Sequence, residues 1–232
     1  HSYAIDQRLR WIPWARNYRP IPTSWKYPEG YPEGAIIHFT AGRTIESSLD
    51  WLGRMKYPCL GIARDGTLYQ PFPLNEGGPH CGTWHHQKYV GIELAAAGKC
   101  KSLGNGKYQT WWGGTLDESR IRCSPGKENI KGGYYEAFTP EQENTLEFLL
   151  LWLKANHPSV FKLENILGHD EVAPENKSDP GAALSQTMPE YREHLQERYK
   201  AVYGETIFSV HYHSWTDEIM LENNRISHTV IT

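Results

Sequence analysis

Residues 166–181 read Ile-Leu-Gly-His169-Asp-Glu-Val-Ala-Pro-Glu-Asn-Lys177-Ser-Asp179-Pro-Gly and set an imidazole, an ammonium and a carboxylate in one short stretch. Its two prolines each fix φ and remove a backbone donor, so the stretch is a polar loop, not a helix interior. Histidine nitrogen and aspartate oxygen are ordinary zinc ligands at roughly 2.0–2.2 Å, and a catalytic zinc usually takes three protein ligands and leaves a fourth position to water. His169 and Asp179 would supply two of the three. His38, near the end of the apolar run Ala35-Ile-Ile-His38-Phe-Thr40, is the candidate for the third. Glu93 stands in Tyr89-Val-Gly-Ile-Glu93-Leu-Ala, a buried-strand pattern in which a charge is expensive, so it should have a partner or a job.

These groups need elements to hold them. The spacing predicts strands over residues 35–40, 89–95 and, just before His169, 165–167. A short helix is expected over 46–55 after Thr44, and strand, turn and strand over 60–63, Arg64-Asp65-Gly66 and 67–72, with Asp-Gly as the hairpin signal. Phe138-Thr139-Pro140-Glu141-Gln142 predicts the start of a helix, with Thr139 as N-cap, Pro140 at the first position and Gln142 closing a capping box; it runs through Leu153. A further helix is expected from about Pro189 to Val202. Residues 1–34 read as an N-terminal arm laid over a domain of residues 35–202. Residues 99–137, with no sustained period, many glycines and the pair Trp111-Trp112, read as a long insertion, a specificity element. Residues 203–232 read as a C-terminal tail with Ile207, Val210, Tyr212 and Trp215 as strand positions.

The chain has 232 residues, enough for one good core, and a formal charge of -3, which gives no electrostatic case for a nucleic-acid partner. No apolar run is long enough for a transmembrane segment. Nine Trp and 14 Tyr are many, and such rings serve as core anchors or line sugar- and peptide-binding surfaces. Cys59, Cys81, Cys100 and Cys123 lack a C-x-x-C spacing, which argues against a zinc knuckle. An even count permits two disulfides, with Cys100–Cys123 the favoured pair, or free thiols in a reducing compartment.

Taken together, His38 at a strand end, the Arg-Asp-Gly-Thr-Leu-Tyr-Gln hairpin, Val-Gly-Ile-Glu93, the capped helix, Gly-His169-Asp and Lys177-Ser-Asp179-Pro-Gly, in this order over residues 34–199, resemble the zinc-dependent N-acetylmuramoyl-L-alanine amidases of the amidase-2 type. That family shares its fold with peptidoglycan recognition proteins. The resemblance implies an α/β fold with a central mixed β-sheet flanked by helices, here with a long insertion and N- and C-terminal extensions. It implies one Zn²⁺ on His38, His169 and Asp179, at the carboxyl end of the strands, with Glu93 and Lys177 as the catalytic pair. His80, in Gly-Pro-His-Cys-Gly, matches the family's Trp-His-Ala-Gly segment, a wall of the substrate cleft, although Pro79 and Cys81 depart from it. His80, Trp111 and Trp112 are accordingly the candidate substrate-binding residues.

The substrate so implied is peptidoglycan or a muropeptide, cut at the amide between N-acetylmuramic acid and L-alanine. Metal-activated water would attack, Glu93 would act as general base, and Lys177 would stabilise the oxyanion. The alternatives are a peptidoglycan-binding module that does not cut, and a zinc peptidase with another peptide substrate. Peptidoglycan lies outside the cytoplasmic membrane, so the expected site of action is periplasmic or extracellular, reached by secretion or by phage lysis.

Overall fold

The computed structural model describes residues 9–204. The expected tail strand positions lie outside them. The central sheet has six strands in the order β1 (Arg16–Asn17), β5 (Leu68–Gln70), β4 (Cys59–Ile62), β7 (Tyr89–Leu94), β3 (Gly34–Phe39) and β13 (Ile166–Gly168). The strands β4, β7, β3 and β13 run parallel, β5 is antiparallel to β4, and β1 adds in parallel to β5, so the sheet is mixed.

Alternation along these strands separates two faces. Ala35, Ile37, Leu60, Ile62, Val90, Ile92 and Leu94 join the main core with α2 (Pro140–Asn156) and α4 (Met188–Tyr203), through residues such as Leu149, Trp152 and Leu195. The opposite face carries Ile36, His38, Cys59, Gly61, Gly91 and Glu93. Part of it is covered by α1 (Ile45–Met55), whose Ile45, Leu49 and Leu52 form a second cluster with Cys59. One face is aliphatic and the other small and polar.

The helix signals act as expected. The Thr139 hydroxyl accepts from Gln142 N–H at 3.1 Å, and the Thr139 N–H donates to Gln142 Oε1 at 2.9 Å, closing the capping box of α2. Thr44 caps α1 by accepting from the Ser47 N–H at 3.1 Å.

Three expectations are corrected. The insertion is not without regular structure: β8 (Lys99–Gly104), β9 (Lys107–Gln109), β10 (Thr115–Asp117), β11 (Ile121–Ser124) and β12 (Gly133–Glu136) form an antiparallel sheet in the order β10-β9-β8-β12-β11. Its strands are short and largely exposed, so they carry no clean alternation. His169 opens a one-turn helix, α3 (His169–Val172), and not the irregular loop that the prolines beyond it suggest. All four cysteines are free. Cys100 and Cys123 both register with Tyr134, from opposite sides of β12, so they stand two strand spacings apart, roughly 9–10 Å. A disulfide needs its Cα atoms within about 7 Å.

Residues of the N-terminal stretch join the central sheet through β1 and pack on it through β2 (Trp25–Lys26), which pairs with β6 (Glu76–Gly77). No helix among the described residues is long and apolar enough to cross a membrane.

Candidate metal centre

His38 lies near the carboxyl end of β3 and is buried; His169 follows β13 directly, on the neighbouring strand, and is buried too. Asp179 comes from the loop after α3, drawn in by the bond from Asp170 N–H to its carbonyl at 2.7 Å. The three side chains meet. His38 Nδ1 is 2.9 Å from His169 Nδ1 and 2.9 Å from Asp179 Oδ2, and His169 Nδ1 is 3.0 Å from the same oxygen.

The outer hydrogen bonds decide which ring nitrogens carry protons. His169 Nε2 lies 3.0 Å from the Cys81 carbonyl, which can only accept, so Nε2 carries the proton and Nδ1 keeps a lone pair. His80 Nε2 lies 2.8 Å from the Tyr89 carbonyl and must donate likewise, which leaves His80 Nδ1 to accept from His38 Nε2 at 3.2 Å. His38 Nδ1 then keeps a lone pair as well. Two imidazole lone pairs and a carboxylate oxygen thus converge on one point, an arrangement that repels itself unless a cation sits there.

The spacing suits one. Donors about 2.0–2.2 Å from a tetrahedral ion stand roughly 3.3–3.6 Å apart, so these three need part by only a few tenths of an ångström. Burial lowers the His38 and His80 pKa values, against Asp179 in the first case, which favours the neutral imidazoles a metal requires. For Asp179 burial acts upward, and the His169 and His38 contacts outweigh it and lower the carboxyl only while a positive charge lies among the three groups, a proton on a ring or, with both Nδ1 atoms bare, an ion between them.

Glu93 is the register partner of His38 across β3 and β7. Its Oε2 is buried with no hydrogen-bond partner among the described residues. Burial pushes its carboxyl well above the ordinary range, Asp179 adds to that, and the charge of Lys177 opposes it. Lys177 itself is exposed. Glu93 lines a cleft of about 460 Å³ together with residues of α1, the loop of Thr40 to Arg43, and Trp111.

Of the candidate substrate residues, Trp111 is 71% exposed and its indole N–H donates to the Ala41 carbonyl at 2.6 Å. Trp112 meets it edge-to-face, ring centres 5.6 Å apart, with the Arg43 guanidinium 5.8 Å from its own ring centre. His80 is not in the cleft lining but behind His38. A second group, His38, Cys59 and His80, also offers donors close together. Burial raises the Cys59 thiol well above its ordinary value, which disfavours the thiolate a metal needs, and the His80 lone pair is already engaged by His38.

Sequence reasoning missed Gly91 and Asp170. A Cβ at Gly91 would come within 2.8 Å of His80 Nδ1, so its hydrogen atom is what admits His80. A glycine inside a strand signals such a close approach.

A family model described as N-acetylmuramoyl-L-alanine amidase (Amidase_2) matches residues 28–182. The chain belongs to the N-acetylmuramoyl-L-alanine amidases. The activity of this amidase is therefore hydrolysis of an amide bond in peptidoglycan. Among solved structures, a selenomethionine derivative of AmpD is 18% identical, with 80% of this chain and 96% of that chain covered and a TM-score of 0.51, which shows a shared fold. The endolysin amidase LysCS from Clostridium intestinale URNW is 16% identical over 83% of this chain and 96% of that chain, with a TM-score of 0.43. No curated protein matches the amidase.

Proposed function

We propose that the amidase is zinc-dependent and cuts the amide between N-acetylmuramic acid and L-alanine, holding one Zn²⁺ on His38 Nδ1, His169 Nδ1 and Asp179 Oδ2. The observation that carries this reading is the convergence of three donor atoms, two ring nitrogens and a carboxylate oxygen, within 3.0 Å of one another. When bound, zinc supplies a Lewis acid that makes water nucleophilic near neutral pH.

The chain's own groups supply the rest. Glu93, whose Oε2 has no hydrogen-bond partner among the described residues, takes a proton from the attacking water as the new carbon–oxygen bond forms. It returns that proton to the nitrogen as the carbon–nitrogen bond breaks, so the amine leaves neutral. Lys177 brings a positive charge to the developing oxyanion, where losing such a donor typically costs about 10²–10³ in rate. His80 holds His38 in the tautomer that presents Nδ1, and Trp111 offers an exposed ring at the cleft mouth. The substrate is met wherever peptidoglycan is accessible, outside the cytoplasmic membrane.

Incubation with purified sacculi, followed by mass spectrometry, tests the reading. Free stem peptides should appear, vanish on chelation and return with added zinc. Release of peptides cut elsewhere, or undiminished release in chelator, would contradict it.

A further inference from the structure

The loop that carries Lys177 and Asp179 has little regular structure, yet it is gripped from two sides. Asp170 holds it from α3: besides the bond to the Asp179 carbonyl, its Oδ2 accepts the Gly181 N–H at 3.2 Å. The insertion holds it from the other side. Arg122 on β11 donates through Nη1 to the carbonyls of Ala182 at 3.0 Å and Ala183 at 2.9 Å. Lys131 donates through Nζ to the Lys177 carbonyl. Tyr135 on β12 is fully buried beneath Gly181, where a Cβ would meet its ring at 2.4 Å, and its hydroxyl donates to the Lys131 carbonyl at 2.7 Å.

The direction of these bonds is informative. Groups that select a substrate face the open cleft, whereas Arg122 and Lys131 commit their donors to backbone carbonyls within a few residues of a metal ligand. A loop that must be ordered as the ion binds subtracts that ordering from the affinity, and a loop already pinned does not. We propose that the insertion pre-positions the Asp179 loop for the ion, with Arg122 and Lys131 as positioning residues. This rests on the zinc reading above.

The test is titration of the metal-free full chain with Zn²⁺ against a chromogenic chelator, for the parent, Arg122→Gln, Lys131→Ala and His169→Ala. Lys131 is only partly buried and lies outside any strand, so its variant should fold whatever becomes of the first. Arg122→Gln should weaken Zn²⁺ binding by about 10-fold and Lys131→Ala by a few-fold, with KM unchanged and the melting temperature of the metal-free protein nearly so. Parental Zn²⁺ affinity in both variants would overturn the proposal, whether KM rises, marking a substrate element, or only the melting temperature falls, marking support of the fold. If the parent binds no Zn²⁺, or His169→Ala binds it as tightly, the zinc reading itself fails.

Discussion

His38 and Glu93 are register partners in the parallel pair β3–β7, and both side chains leave the sheet on the face that α2 and α4 do not cover. A candidate metal donor and a carboxylate whose Oε2 has no hydrogen-bond partner among the described residues are thereby neighbours by strand geometry alone, with no loop needed to bring them together.

Glu93→Ala should retain zinc and lose about 10²–10⁴ in kcat. Metal content and turnover on the same sample check this. A variant with near-parental turnover would remove Glu93 from the mechanism.

Burial holds the Glu93 carboxyl above the ordinary carboxylate range in the metal-free protein. For stability the sign is opposite to that of a salt-bridged acid. A raised folded pKa penalises the ionised form, so the penalty is absent below the unfolded value of about 4.3 and grows as pH rises towards the folded one. Glu93→Gln should therefore stabilise the metal-free protein at neutral pH and lose that advantage in acid, as thermal melts at two pH values would show.

His80→Ala should weaken zinc binding by about 10–100-fold, since it frees His38 to adopt the wrong tautomer. Equal affinity in a competition titration would show that the ring has no such role.

Gly91→Ala should cost about 1–3 kcal/mol, because the added Cβ comes within 2.6 Å of Cys59 Sγ and 2.8 Å of His80 Nδ1. Chemical denaturation measures the loss, and zinc affinity should fall with it.

Trp111→Ala should lower kcat/KM by roughly fivefold, about 1 kcal/mol, while zinc binding is unchanged. An unaltered KM would take the indole out of the substrate site.

The sequence by itself marked the main strands and helices of the central layer and the side chains that meet at its edge, though not the strands of the insertion. Thr139-Pro140-Glu141-Gln142 carries its own capping chemistry, and the strands around His38 and Glu93 carry their own apolar pattern, because such signals act over a few residues. Only the tertiary structure decided the tautomers, the place of Glu93 Oε2 without a hydrogen-bond partner among the described residues, and the grip of the insertion on the Asp179 loop. Cys81 lies 88 residues from the His169 ring it receives a bond from, and Arg122 lies 60 from Ala182. Contacts over such separations leave no local periodicity, since they depend on which strands lie side by side, and the same rule made Cys100 and Cys123 look like a pair when β12 stands between them.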